Sequence, residues 1–280
     1  MRSLPHGPGP RRLIDYGCRV KIALMDSGIG LLAATAAVRR LRPDADLILS
    51  LDPDGMPWGP RTPEDLTRRA LAVAEAAAAH RPDALIVGCN TATVHALPAL
   101  RARFEPVLPV IGTVPAIKPA AAGGGPVAIW ATPATTGSAY QRGLIEEFGG
   151  DAVVTEVPCP GLADAVEHAD EAAIDAAVDA AAGLTPDGVT TVVLGCTHYE
   201  LVAERIRAAV QRPGAPRLVL HGSAGAVAAQ ALRRIGVRPD PGAPAQGTLT
   251  VLLSGRAGVL PAPASAYEEG RLLRAVAPAR

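Results

Sequence analysis

Residues 191–199 read TVVLGCTHY, an apolar run that breaks off in Gly195, Cys196 and, two residues on, His198. Residues 84–93 repeat the gesture: ALIVGCNTAT carries an apolar run into Gly88 and Cys89, followed by Asn90 and Thr91. A thiol at the carboxyl end of a buried strand stands where open parallel sheets hold ligands and where helix N-termini present free amides. Such a position favours thiolate, so both cysteines are expected to titrate below the free value of about 8.5. The bland alternative is a cysteine packed as a small hydrophobe. Two such turns, each followed by hydroxyl or amide side chains, point instead to chemistry that uses two thiols. Inverting a carbon that bears hydrogen is such a reaction, because a base removes the proton from one face while an acid delivers one to the other. One sulfur is thiolate when the other is thiol, and turnover exchanges their states. With fixed hydrogen bonds stabilising a carbanion-like transition state, no cofactor is required.

Other residues suggest what the thiols act on. MDSGIGLLA (25–33) places Gly28, Gly30 and Ala33 at GxGxxA spacing, with Asp52 at the end of the next strand. The pattern fits a dinucleotide turn, but Asp26 would put a carboxylate beside two phosphates. An amino acid suits the turn differently: Ser27 and the loop amides take its carboxylate, while Asp26 meets its ammonium or tunes a thiol. LDPDGMPWGPRTPED (51–65) offers the backbone of Pro57, Trp58 and Gly59 to a ligand, or serves as an ordinary tight connection. ATPATTGSAYQ (131–141) offers the hydroxyls of Thr132 and Thr135, as carboxylate ligands or as helix caps. CTH spacing has no second ligand pair to complete a zinc site. A cysteine–histidine hydrolase would use one nucleophile and leave the second cysteine unexplained.

These turns need strands to deliver them. Short runs rich in β-branched residues, KIALM, DLILSL, ALIVG, VLPVIG (107–112), VAIWA, AVVTEV (152–157), TTVVLG, RLVL (217–220) and TLTVLL, alternate with Ala-rich stretches of helical length. The fold class that follows is α/β, with mostly parallel sheets flanked by helices. Thr62, Pro63 and Asp65 form a capped start for a helix running to about His80. Two lobes are expected, with crossings at 112–126 and 221–234. Residues 19–113 plus 223–280 make the first and 114–222 the second. Residues 1–18, rich in Pro, Gly and Arg without periodicity, read as a mobile extension.

Composition narrows the partners. The chain has 280 residues, 27 basic and 27 acidic, for a net charge of zero, and 3% aromatics. That leaves no electrostatic footprint or stacking platform for nucleic acid, and a small-molecule partner is favoured. Lys21 and Lys118 are the only lysines, leaving few Schiff-base candidates. Four cysteines without a CxxC pair read as reduced thiols in a cytoplasm. The N-terminal MRSLPHGPGPRRLIDYG has no apolar core of signal-peptide length, and no later segment approaches the roughly 18 apolar residues of a membrane span.

DSGIG (26–30), PWGPR (57–61), CNTAT (89–93), PVIGTVPA (109–116), ATPAT (131–135) and GCTHY (195–199), with a weaker echo at LLSG (252–255), together resemble the glutamate racemases of the aspartate/glutamate racemase superfamily. The resemblance runs from about Lys21 to Gly236. It implies two pseudo-symmetric α/β lobes with the active site between them, and cofactor-independent interconversion of L- and D-glutamate. It also implies supply of D-glutamate to peptidoglycan, hence to cell-wall biogenesis and cell shape. Position by position, it implies Cys89 and Cys196 as catalytic cysteines, assisted by Asp26, His198 and Glu167. Substrate contacts fall on Ser27, Pro57, Trp58, Gly59, Asn90, Thr91, Thr132, Thr135 and Thr197, besides Asp26 and His198. A homodimer is among the expectations for partners. Leu31 and Trp58 depart from the family pattern, and the departures point to altered packing of the first helix and a reshaped pocket rim. A racemase for aspartate or another amino acid, an NAD-dependent oxidoreductase using Gly28 and Gly30, and a catalytically silent binding protein are the alternatives.

Overall fold

The computed structural model describes residues 19–275; Cys18 and the predicted extension lie outside them. Its strands are β1 (Lys21–Asp26), β2 (Asp46–Leu51), β3 (Ala84–Val87), β4 (Val110–Gly112), β5 (Val127–Ala131), β6 (Val154–Pro158), β7 (Thr191–Leu194), β8 (Val219–His221), β9 (Leu249–Leu253) and β10 (Arg256–Gly258). They form two sheets, ordered β10-β9-β2-β1-β3-β4 and β6-β5-β7-β8. Among the described strands every pairing is parallel except β9 with β10. The α/β class read from the sequence is the class observed.

Parallel strands covered on both faces need apolar residues at successive positions. β1 is buried from Ile22 to Asp26. Ile22 and Leu24 enter one core cluster, and Ala23 and Met25 enter another. β3 divides the same way, with Ala84 and Ile86 on one side and Leu85 and Val87 on the other. Helices Leu32–Leu41 and Ala224–Arg234 cover the first face, and Pro63–Ala78 and Asn90–Phe104 cover the second. Full burial of each large aliphatic side chain contributes about 1.5–3 kcal/mol, and this fixes the strands whose carboxyl ends carry the chemistry.

Local signals explain the helix starts and the shifted strands. Thr62 Oγ1 accepts from the Asp65 amide at 3.3 Å and Pro63 opens the helix, although the helix ends at Ala78, short of His80. The 107–112 run yields only Val110–Gly112, with Val107 93% exposed, because Pro106 and Pro109 withhold the amides a ladder needs. The 152–157 run is strand from Val154 to Pro158, where it pairs with β5, and the 217–220 run is strand from Val219 to His221. β10, three exposed residues without an apolar pattern, has no counterpart among the predicted strands.

Candidate active site

Cys89 follows β3 in extended conformation and stands at the N-cap of helix Asn90–Phe104. Cys196 follows β7 and holds the same place before a 3₁₀ turn, Thr197–Val202. The two turns bind each other directly: Asn90 Nδ2 donates to the Gly195 carbonyl at 2.6 Å, joining the residue after one cysteine to the residue before the other. Both sulfurs line one cavity of about 380 Å³. All the candidate residues border it: Asp26, Ser27, Pro57, Trp58, Gly59, Cys89, Asn90, Thr91, Thr132, Thr135, Glu167, Cys196, Thr197 and His198. A more open groove of about 1430 Å³ runs along Arg103 and Arg234. It holds no cysteine or histidine, and those two cations are paired with Glu75 and Glu105.

Behind Cys89 lies Asp26, the last residue of β1 and fully buried. Its Oδ1 accepts from the Ser27 amide at 2.6 Å, and Thr197 Oγ1 donates to Oδ2 at 3.4 Å. Burial raises its pKa to about 7, against the opposing pull of His198 and the Ser27 amide. The Cys89 thiol is held well above the usual thiol range, first by burial and then by the Asp26 carboxylate. The helix N-terminus expected to lower Cys89 is therefore outweighed: desolvation of a nearly enclosed sulfur exceeds the effect of a few amides. Cys89 needs a base beside it to become a thiolate, and Asp26 stands there.

Behind Cys196 the arrangement differs. His198 Nδ1 lies 3.8 Å from Cys196 Sγ, and His198 Nε2 lies 2.8 Å from Glu167 Oε2. Burial alone would lower the imidazole pKa, but the contacts with Cys196 and Glu167 and the charge of Asp26 hold it well above its ordinary value. The result is an imidazolium gripped by a carboxylate and aimed at a sulfur, an arrangement that stabilises thiolate. Glu167 Oε2 also accepts from the Ile29 amide at 2.8 Å. Gly28 and Gly30 make this approach possible. A Cβ on Gly28 would come within 2.1 Å of Glu167 Oε2, and one on Gly30 within 2.6 Å of His198 Nδ1 and 2.7 Å of Asp26 Oδ2. The glycine spacing that suggested a dinucleotide turn serves side chains arriving from the second sheet, and the Ile29 amide already holds a carboxylate.

Asp52 completes that correction. Its Oδ2 accepts from the Trp58 indole at 2.9 Å and from Arg69 at 3.3 Å, while Ser254 Oγ donates to Oδ1 at 3.0 Å. Trp58, 1% exposed, is therefore anchored in the cavity wall by its indole. Leu31 is fully buried in the turn before helix Leu32–Leu41 and abuts the backbone of Gly88, which fits an effect on packing. Thr132 and Thr135 hydroxyls bond each other at 3.2 Å. Sequence reasoning missed Cys159, whose signal was available: it too follows a strand, β6, and it lines the same cavity. Burial raises its pKa to about 12, and its Sγ donates to the Val157 carbonyl at 3.5 Å.

The Asp/Glu/Hydantoin racemase family matches residues 31–230. A glutamate racemase of Pseudomonas putida is 35% identical over 76% of this chain and 80% of its own length, and one from a Roseiflexus species is 39% identical over 67% and 70%. Among solved structures, Escherichia coli glutamate racemase, in complex with L-glutamate and the activator UDP-MurNAc-ala, has a TM-score of 0.73 at 27% identity, covering 89% of this chain and 92% of its own. Two strand-end thiols on one cavity, with this degree of likeness along the whole fold, establish the chain as a member of the Asp/Glu/Hydantoin racemase family, an amino-acid racemase of the glutamate racemase type.

Proposed function

We propose that the protein interconverts L- and D-glutamate by two-base proton transfer between Cys89 and Cys196, and that its product supplies peptidoglycan synthesis. The observation that carries the mechanism is that both sulfurs border one small cavity, each backed by its own proton-handling group. In one direction, Asp26 takes the proton of the Cys89 thiol and the thiolate removes the α-proton of the substrate. Cys196, with His198 beside it, delivers a proton to the opposite face. In the other direction Cys196 thiolate, held by the His198 imidazolium and Glu167, is the base and Cys89 thiol the acid. Ser27, Thr91, Thr197 and the unpartnered amide oxygen of Asn90 supply polar contacts for the substrate, with Thr132 and Thr135 at the side. The cavity volume suits a ligand of amino-acid size, and the E. coli relative binds L-glutamate.

Circular dichroism of L- and D-glutamate incubated with purified protein tests this reading. Both signals should decay to zero, with solvent deuterium entering the α-position. No decay from either enantiomer would overturn the function, and faster decay with aspartate would overturn the substrate.

A further inference from the structure

We infer that Glu200 is a positioning residue for this reaction, a tether that holds the Cys196–His198 turn to the helix lying over the strand of Cys89. The inference rests on the racemase reading above and goes beyond it to a residue that does not line the cavity.

Glu200 stands in the 3₁₀ turn that carries Thr197 and His198, but its carboxylate faces away, toward the point where the chain leaves β8. Its Oε1 accepts from the Ser223 amide at 2.8 Å and from the Ser223 hydroxyl at 3.0 Å. The Ala224 amide donates to both oxygens, at 3.2 and 3.3 Å. These amides open helix Ala224–Arg234, whose own N-cap residue, Ser223, makes no side-chain cap. A helix ordinarily draws its first acceptor from its own N-cap; here the acceptor comes from a turn over twenty residues earlier in the chain. The room is provided by Gly222, where a Cβ would sit 2.4 Å from Glu200 Oε2. Helix Ala224–Arg234 packs on helix Leu32–Leu41 and on β3, the strand that ends at Cys89. Glu200 thus joins the two halves of the reaction through a second route, besides the bond from Asn90 to Gly195.

Two sulfurs on opposite faces of one carbon must keep their spacing, and a misplacement of about 1 Å lowers turnover on the order of a hundredfold. The test separates this tether from a plain helix cap. Residue 222 lies where a short carboxylate would reach the same amides, so Gly222→Asp restores a local cap without restoring the link. Glu200→Ala should lower both the melting temperature and kcat, the latter roughly 10- to 100-fold, with KM changed far less. Glu200→Gln, which keeps length and an acceptor oxygen, should retain most of kcat. Gly222→Asp added to Glu200→Ala should recover the melting temperature and leave kcat low. Recovery of kcat together with melting temperature would reduce Glu200 to a cap and overturn the proposal, as would parent-like kcat in Glu200→Ala alone. Should Glu200→Ala not fold, the double variant is compared with the parent directly. Hydrogen exchange over residues 195–202 reads the tether without turnover: it should remain accelerated in the double variant, and unchanged exchange would also refute it. Absence of racemisation by the parent would instead strike at the function itself.

Discussion

The two cysteines occupy equivalent places at the ends of two strands, yet the groups behind them are of opposite kinds. Cys89 faces a buried acid, Asp26, whose burial keeps both partners inclined to hold protons. Cys196 faces a cation, His198, made persistent by Glu167. On the two-base mechanism proposed above, symmetric proton transfer would not need symmetric surroundings. One thiol would be activated by a nearby base and the other by a stabilised positive charge. Each side is therefore open to separate attack.

The largest effect should come from the sulfurs themselves. Cys89→Ser and Cys196→Ser should each reduce full racemisation by roughly 10³-fold or more, the upper range for a positioned acid or base, because a hydroxyl is far too weak an acid to hold the anionic state. With a substrate analogue bearing a β-leaving group, elimination needs only one base. The two variants should then prefer opposite enantiomers, and matching preferences would break the comparison.

Stability should respond next. Folded Asp26 holds its proton up to about pH 7, against an ordinary carboxyl value of 3.8, so between those limits the folded state binds more protons and stability falls as pH rises. His198, raised well above 6.5, continues the decline at higher pH, because its contribution is complete below the unfolded value and fades as the folded form deprotonates. Asp26→Asn should raise stability little near pH 4 and by as much as about 4 kcal/mol at pH 8, measured by denaturant unfolding. An equal effect at both pH values would contradict a buried, high-titrating Asp26.

Turnover should distinguish the sides as well. Asp26→Asn and His198→Asn should each lower kcat by about 10²-fold with smaller changes in KM. In the parent, the limb that needs ionised Asp26 rises through about pH 7 and should vanish in Asp26→Asn while persisting in His198→Asn. Retention of that limb in Asp26→Asn would assign it elsewhere. The smallest effect is expected from Trp58→Phe, which removes the indole donor to Asp52 on the Cys89 side and costs about 1–2 kcal/mol, seen in chemical denaturation. A severalfold rise in KM with little change in kcat should accompany it, and unchanged values for both would show that the anchor does not shape the pocket.

Much of this was legible where chemistry and element adjoin in sequence. Cys89, Cys196 and His198 sit immediately beyond apolar runs, and Thr62 announces its helix by the spacing of its cap. What the chain did not declare depends on contacts between distant residues. Gly28 and Gly30 imitate a phosphate turn because spacing records that a side chain is missing and not what fills the space, which here is Glu167 from 138 residues away and His198. The raised Cys89 pKa reflects burial and the neighbouring Asp26 carboxylate, which a local reading of helix ends does not see. β10 carries no periodicity and pairs only because the turn at 254–255 returns the chain alongside β9.

The pairing of β2 with β9 joins Leu47 to Leu249 and Leu51 to Leu253, and all four strands of the second sheet lie between residues 127 and 221. During synthesis at about 5–20 residues per second, β2 thus leaves the ribosome tens of seconds or less before its neighbour, with one backbone edge unpaired. The second sheet has every strand it needs within that interval and is expected to reach its native pairing first. On that order the nascent chain would carry a finished half and an open-edged half at once, and the open edge is where neighbouring copies on a polysome would be most exposed to pairing with one another.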